Sequence, residues 1–265
     1  MSNQKTALIT GASNGIGLAL AKVFARNGYD IIAVARNEEK LAQASREMSQ
    51  EGAKVHTFSA DLSRYEEVEA LHDKVREAGF ELDALVINAG QGLGGRFIGG
   101  TELAKELQLI RLNVDSYVHL SKLFLPDMIN RGGGHVLMTS SVSGTAPIPF
   151  EAVYGASKAF VNSFFWAIRN ETKGSGLNMT LLMPGATETN FFKNAGQTDT
   201  TVGASQPTQP EEVAERAWYA LMSGHEYVYG DDAAEHEGDV LNRLQSESQK
   251  AQRHRIISEP GSANK

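Results

Sequence analysis

The sequence predicts an α/β architecture, a doubly wound and mostly parallel sheet of about seven strands with helices on both faces. Short, nearly all-apolar runs alternate three times with amphipathic, charge-bearing stretches, as strands buried on both faces by crossover helices do. A glycine cluster, GASNGIG, stands between the first run and its helix. The chain has 265 residues, 41% hydrophobic and 22% charged, which suffices for one substantial core and is ordinary for a soluble globular protein.

KTALIT is the first strand, and LALAKVFARNG the first helix, closed by Gly28, a residue suited to the left-handed conformation that ends helices. Between them Gly11, Gly15 and Gly17 follow the spacing GxxxGxG, distinct from the usual dinucleotide GxGxxG. Glycine there lets a pyrophosphate approach the backbone where free N–H groups and the helix dipole favour an anion. A plain tight turn would use the same residues, but the place between strand and helix favours a nucleotide site. The second strand, YDIIAVA, ends at Ala35 and Arg36 with no carboxylate, and the helix NEEKLAQASREMSQEG follows. At this strand end an acid accepts from a free ribose 2′-hydroxyl, whereas a cation tolerates a 2′-phosphate. NADP(H) is therefore the preferred cofactor, with NAD(H) the other candidate, unless Arg36 is only a solvated loop cation. The third strand, AKVHTFSA, runs into Asp61 and Leu62, which lie against an adenine or, for Asp61, cap the helix SRYEEVEALHDKVREAGF. LDALVIN then ends in Asn88, Ala89 and Gly90, a small flat turn that lets a cofactor ring lie close to backbone.

The glycine-rich QGLGGRFIGGTE is either a wall of the substrate pocket or a plain surface loop. One long helix is expected from Glu102 to Asn130, with Asn113 in its interior, where asparagine is a poor helix former and so is either incidental or a polar feature near the cofactor. The strand HVLMTSS ends at Ser141, and APIPFEA, stiffened by two prolines, offers Phe150 to line an apolar pocket before the helix that starts at Ala152. LNMTLLM, the last core strand, ends in Pro184 and Gly185. The segment after it carries Phe191 and Phe192, either as a lid closing over substrate or as a short helix packing both rings on the core. PEEVAERAWYALMSG and EYVYG complete the sheet. The expected division is one catalytic domain, 1–230, with a substrate loop at about 186–209, and an extension, 231–265, that adds one helix and then frays.

Tyr154 and Lys158 lie four apart on a helix, so their side chains leave one face about a turn apart. A phenol titrates near ~10, and an adjacent ammonium stabilises the phenolate and lowers that value. With the Ser141 hydroxyl at a strand end, the group suits proton exchange with a carbonyl or alcohol oxygen. Alone, such a pair reads first as a solvated or packing pair, and the rest of the chain decides. The net charge of -7 argues against nucleic acid or an anionic membrane as partner. The chain has no cysteine, and its seven histidines lack metal spacing, so no disulfide and no metal site are expected. No run of about 18 apolar residues occurs, and MSNQKTALITG enters a strand pattern at once, which reads as a soluble cytoplasmic protein.

Taken in order, these residues resemble the short-chain dehydrogenase/reductase family in its single-domain, Rossmann-like form, over roughly residues 5–230. TGASNGIG, with Ser13, Asn14 and Ile16 among its glycines, resembles the cofactor motif, NAG at Asn88 the ring-contact turn, and Ser141, Tyr154, Lys158 and Asn113 the catalytic set. PGATET resembles the segment holding the nicotinamide carboxamide, through backbone at Thr187 and a hydroxyl at Thr189. Asn14 stands where many NADPH-preferring members carry a base, and position 187 more often holds an aliphatic residue. The resemblance implies hydride transfer between nicotinamide and a carbonyl or secondary alcohol. Tyr154 would be general acid/base, Ser141 would polarise the substrate oxygen, Lys158 would lower the Tyr154 pKa and bind ribose, and Asn113 would relay protons through water. It also implies a homo-dimer or homo-tetramer through the two long central helices. The phenylalanines favour a partly apolar small-molecule substrate. The alternatives are a 3-oxoacyl-thioester reductase and a non-catalytic NADP-binding sensor or scaffold.

Overall fold

The computed structural model describes residues 4–204 and 207–264. Residues 1–3 and 205–206 of the expected catalytic domain, the latter within its substrate loop, and Lys265 of the extension lie outside the described residues. The strands are β1 (Lys5–Thr10), β2 (Tyr29–Ala35), β3 (Val55–Ser59), β4 (Ala84–Ile87), β5 (Gly134–Thr139), β6 (Leu177–Met183) and β7 (Tyr227–Tyr229). They form one sheet in the order β3-β2-β1-β4-β5-β6-β7, every pairing parallel. The reversal of strand order between β1 and β4 opens a crevice at the carboxyl ends of the strands, where ligands bind in such folds.

Strand side chains alternate between two apolar layers. Leu8, Leu85, Val136 and Leu181 enter one, with Tyr117, Phe124 and Phe165 from the helices above. Ile9, Val86, Leu137 and Leu182 enter the other, with Phe24, Val213 and Leu221. Burial on both faces is why the strands read as continuous apolar runs.

The helices are α1 (Gly15–Arg26), α2 (Glu38–Ser49), α3 (Tyr65–Glu77), α4 (Leu103–Ile110), α5 (Ser116–Asn130), α6 (Ala152–Glu171), α7 (Phe191–Ala195), α8 (Pro210–Met222), α9 (Asp232–Glu235), α10 (Asn242–Leu244) and α11 (Glu247–Ser258). The single helix expected over 102–130 is in fact two, joined by a π-helical turn, Arg111–Asp115, that contains Asn113. The extension also departs from expectation, since it holds several helical segments instead of one. α9 and α10 flank a second π turn, His236–Leu241, and α11 opens with a capping box at Ser246 and Gln249. His254 and Ser258 of α11 are buried, and Val202 N–H donates to the Ile257 carbonyl at 3.2 Å, so the tail folds back onto the segment after β6. No helix among the described residues is long and apolar enough to cross a membrane.

Candidate active site

β5 stops at Thr139, two residues short of the expected strand end, and the chain turns sharply. Ser140 N–H donates to Leu182 O at 2.7 Å and Val142 N–H to Pro184 O at 3.0 Å, which binds this turn to the end of β6. The Ser141 hydroxyl accepts from Ser143 N–H at 3.1 Å and donates to Pro184 O at 3.4 Å, capping a short 3-10 turn, Val142–Thr145. α6 then carries Tyr154 and Lys158 beneath it, both almost wholly buried, at 7% and 4% exposure. The Lys158 ammonium donates to Thr139 O at 3.1 Å, and the Tyr117 hydroxyl from α5 donates to the same carbonyl at 2.7 Å. Lys158 Nζ lies 5.6 Å from the Tyr117 ring centre and 6.0 Å from that of Tyr154.

These surroundings reverse one expectation. Burial pushes the Tyr154 phenol above the usual tyrosine range; a hydrogen bond with Ser141 pulls it down and the Glu151 carboxylate pushes it up again. Lys158 instead yields its own pKa, drawn down to about 8 by burial. In the protein alone Tyr154 is thus a firmly protonated phenol and not a poised phenolate.

Asn113 is fully buried. Its Oδ1 accepts from Gln91 N–H at 2.9 Å, and its Nδ2 donates to Gln91 O at 2.9 Å and to the Ser157 hydroxyl at 3.1 Å. Ser157 in turn donates to Tyr154 O at 2.7 Å, so the π turn, the loop after β4 and α6 form one polar unit. Gly90 completes it: a Cβ there would sit 3.3 Å from Asn113 Oδ1 and 3.4 Å from Lys158 Nζ.

The glycine turn is built for a bulky anionic ligand. A Cβ on Gly17 would strike the Gly11 carbonyl, so only glycine lets α1 start against β1. Gly11 and Gly15 both take positive φ, 71° and 53°. Asn14, the N-cap of α1, makes no side-chain cap, and no acid stands in the first turn, which leaves the opening N–H groups for an anion. Ser13 and Ile16 are half-buried in the same turn and Asn14 is exposed. Arg36 is exposed at the end of β2 with no ion pair among the described residues, a free cation at the place expected for a 2′-phosphate. Asp61 does not cap the following helix, whose N-cap is Arg64; its carboxylate instead accepts from Ser63 N–H at 3.1 Å and Ser63 Oγ at 2.7 Å. Leu62 is in the core. These residues fit a dinucleotide as a cradle. Among the described residues no cluster of His, Asp and Glu suited to a metal occurs.

The segment after β6 spans the whole crevice. Thr187 is buried, and its hydroxyl donates to Gly185 O at 3.2 Å. The Thr189 hydroxyl accepts from Phe191 N–H at 3.1 Å, while its methyl would touch a Cβ on Gly15 at 2.8 Å. α7 is a short helix, yet its Phe191 does not join the core; the ring lies 5.2 Å from Tyr154, with Phe192 edge-on at 5.6 Å. The loop after β4 is tied to the segment after β6 and to the loop before α6, since Gly94 N–H donates to Ala195 O at 2.9 Å and Gly95 N–H to Phe150 O at 2.8 Å. Phe150 itself takes φ 65° and receives the Arg255 guanidinium over its ring at 5.2 Å, so that face is spent on the tail and not on an open apolar pocket.

The short chain dehydrogenase family model matches residues 5–200. The chain belongs to this family. It is 35% identical over 225 residues to a sulfoacetaldehyde reductase of Chromohalobacter salexigens, covering 82% of this chain and 89% of that protein. Its fold superposes with a TM-score of 0.81 on a short-chain dehydrogenase from Sphingobium yanoikuyae in complex with NADPH, at 29% identity over 91% of this chain and 93% of that one. An alcohol dehydrogenase from Thermococcus sibiricus complexed with 5-hydroxy-NADP gives 0.73 at 29% identity, over 86% and 96%.

The short-chain dehydrogenase fold brings in residues that sequence reasoning passed over. The Thr10 hydroxyl accepts from Asn88 N–H at 2.8 Å and Ala89 N–H at 3.0 Å, and Asn88 Nδ2 donates to Thr10 O at 3.1 Å, which fixes the turn after β4. Thr10 and Tyr117 gave no motif signal, because their role depends on which strands are neighbours. Ser140 and Ser157 stood beside flagged residues, and their spacing on α6 and its preceding turn was the one available clue.

Proposed function

We propose that this oxidoreductase transfers a hydride between NADP(H) and a carbonyl or secondary alcohol, with Tyr154 as general acid/base. The observation that carries the reading is the buried convergence of Ser141, Tyr154 and Lys158 beside Gly90, at the carboxyl ends of β5 and β4. NADPH and an NADP analogue in two structural neighbours support the cofactor, as does the unpaired Arg36; NAD(H) is the weaker candidate. Gly11, Ser13, Asn14, Gly15, Ile16 and Gly17 would hold the pyrophosphate side, Arg36, Asp61 and Leu62 the adenosine side, and Asn88, Ala89, Gly90, Pro184, Gly185, Thr187 and Thr189 the nicotinamide side. Nicotinamide, when bound, supplies the hydride chemistry.

The chain's own residues manage the proton. Tyr154 Oη, kept protonated by burial, donates to the carbonyl oxygen during reduction, and Ser141 Oγ holds that oxygen in place. Lys158, an ammonium at neutral pH, stabilises the phenolate left behind and offers its remaining N–H bonds to ribose hydroxyls. Asn113 holds the Gln91 backbone and Ser157 so that a water chain reaches solvent. The exposed Val118, Phe160 and Trp166 on α5 and α6 support a homo-oligomer through those helices.

Tyr154→Phe is expected to lower kcat for carbonyl reduction by about 10²–10⁴-fold while nicotinamide fluorescence still reports NADPH binding. Arg36→Ala is expected to weaken NADPH about tenfold or more relative to NADH. Unchanged turnover in the first variant removes Tyr154 from the chemistry, and NADPH binding without turnover of any carbonyl in the wild type favours the sensor reading.

A further inference from the structure

Three residues before Tyr154, a second buried acid faces the same region. Glu151 is 6% exposed and precedes the first turn of α6. It is the N-cap of α6, three residues ahead of Tyr154 in the chain, and its charge acts on the phenol. The Gln197 amide, from the segment after α7, draws the Glu151 carboxyl down through a side-chain hydrogen bond, and His254 of α11 does so through its charge. His254 is already engaged, with Nε2 3.1 Å from Glu237, whose carboxylate also lies 3.6 Å from Arg253. Glu151 itself has no ion pair among the described residues.

Gln197 is stranger. It is 2% exposed, and neither Nε2 nor Oε1 has a well-formed hydrogen bond among the described residues. Its side chain lies flat against Gly94, where a Cβ would collide with it, so glycine at that position leaves room for the amide. A buried primary amide whose one side-chain contact is a poorly aligned one with Glu151 is rare in native folds and calls for a further partner. Burial pushes the Glu151 carboxyl up, against the pull of Gln197 and His254, so it too lacks full solvation. An acceptor and a donor–acceptor amide are thus held together between the N-cap of α6, the segment after α7 and Gly94.

We propose that Glu151 and Gln197 form a polar recognition pair in the substrate site, and that the substrate is a hydroxylated aldehyde or ketone. Its hydroxyl donates to Glu151 and accepts from Gln197 Nε2. This inference rests on Tyr154 as general acid, and it replaces the expected apolar substrate with a polar one.

The test is NADPH oxidation with two nearly isosteric pairs, hydroxyacetone against 2-butanone and 4-hydroxy-2-butanone against 2-pentanone. A site built to bond a hydroxyl rejects the analogue lacking it strongly, so wild-type kcat/KM is expected to favour one hydroxylated member by about 10²-fold or more. Glu151→Gln and Gln197→Ala are each expected to cut that ratio at least tenfold, mainly through KM, with the NADPH Kd from fluorescence unmoved. Wild-type indifference to the hydroxyl, or equal losses on both members of each pair, overturns the recognition pair. Reduction that persists in Tyr154→Phe, or no reduction of any carbonyl, overturns the reading beneath it as well. Tyr154-dependent reduction without hydroxyl preference overturns only the inference.

Discussion

Lys158 keeps an ammonium against the Thr139 carbonyl in a place with almost no solvent, and that placement has a pH signature. Its folded pKa is about 8 against an ordinary 10.5. Between those values the unfolded chain binds the proton that the folded chain has shed, so stability rises with pH across that window. The cost of the buried charge is complete below about pH 8. Lys158→Met removes it, and the thermal midpoint of that variant is expected to exceed wild type most at pH 7 and to converge on it toward pH 10. A constant gap across pH would mean that Lys158 is solvated in the fold. The Tyr154 and Lys158 pair was legible because a helical period alone fixes which residues share a face. The sign of its electrostatics was not, since desolvation depends on Tyr117 and Phe191, which no local spacing places beside it.

At the scale of the element, the π turn at Arg111–Asp115 decides where Asn113 points. One residue wider than an α turn, it breaks the surface periodicity of the α4–α5 pair and carries the Asn113 amide inward to the Gln91 backbone. Asn113→Ala leaves a part-buried N–H and a part-buried C=O of Gln91 without their partner, at up to about 1–3 kcal/mol for each such group. Urea unfolding is expected to show a loss of at least about 2 kcal/mol, with carbonyl reduction falling further than NADPH affinity. A loss below 0.5 kcal/mol on that scale would show that Gln91 finds solvent instead. Asparagine inside an apolar helix was readable as an anomaly; the extra residue of the turn was not, because hydropathy does not register one added position.

For the whole molecule, the sheet order and its two apolar layers follow from the strand–helix alternation, and those were legible. The closure of the tail was not. Asp199, Thr201 and Val202 are held by Gly261, Ser262 and Ile257, and Asn242 donates to Thr145 beside the catalytic turn at 2.7 Å. These contacts join polar residues far apart in the chain, and the tail offers few apolar positions to announce them. A chain ended after Asp231 is expected to keep its sheet by circular dichroism, to melt roughly 5–10 °C lower, and to lose most carbonyl reduction. Retention of full activity would make the tail dispensable. Three backbone amides record the same closure: Gly94 is held by the lid, Gly95 by the catalytic loop and Val202 by the tail. Each is locked by a different segment, so exchange in deuterated water separates two cases: one protection free energy common to all three means that the segments open together, and unequal values mean that each opens alone. A common value is expected if the tail, the segment after β6 and the loop before α6 close over the crevice as one body.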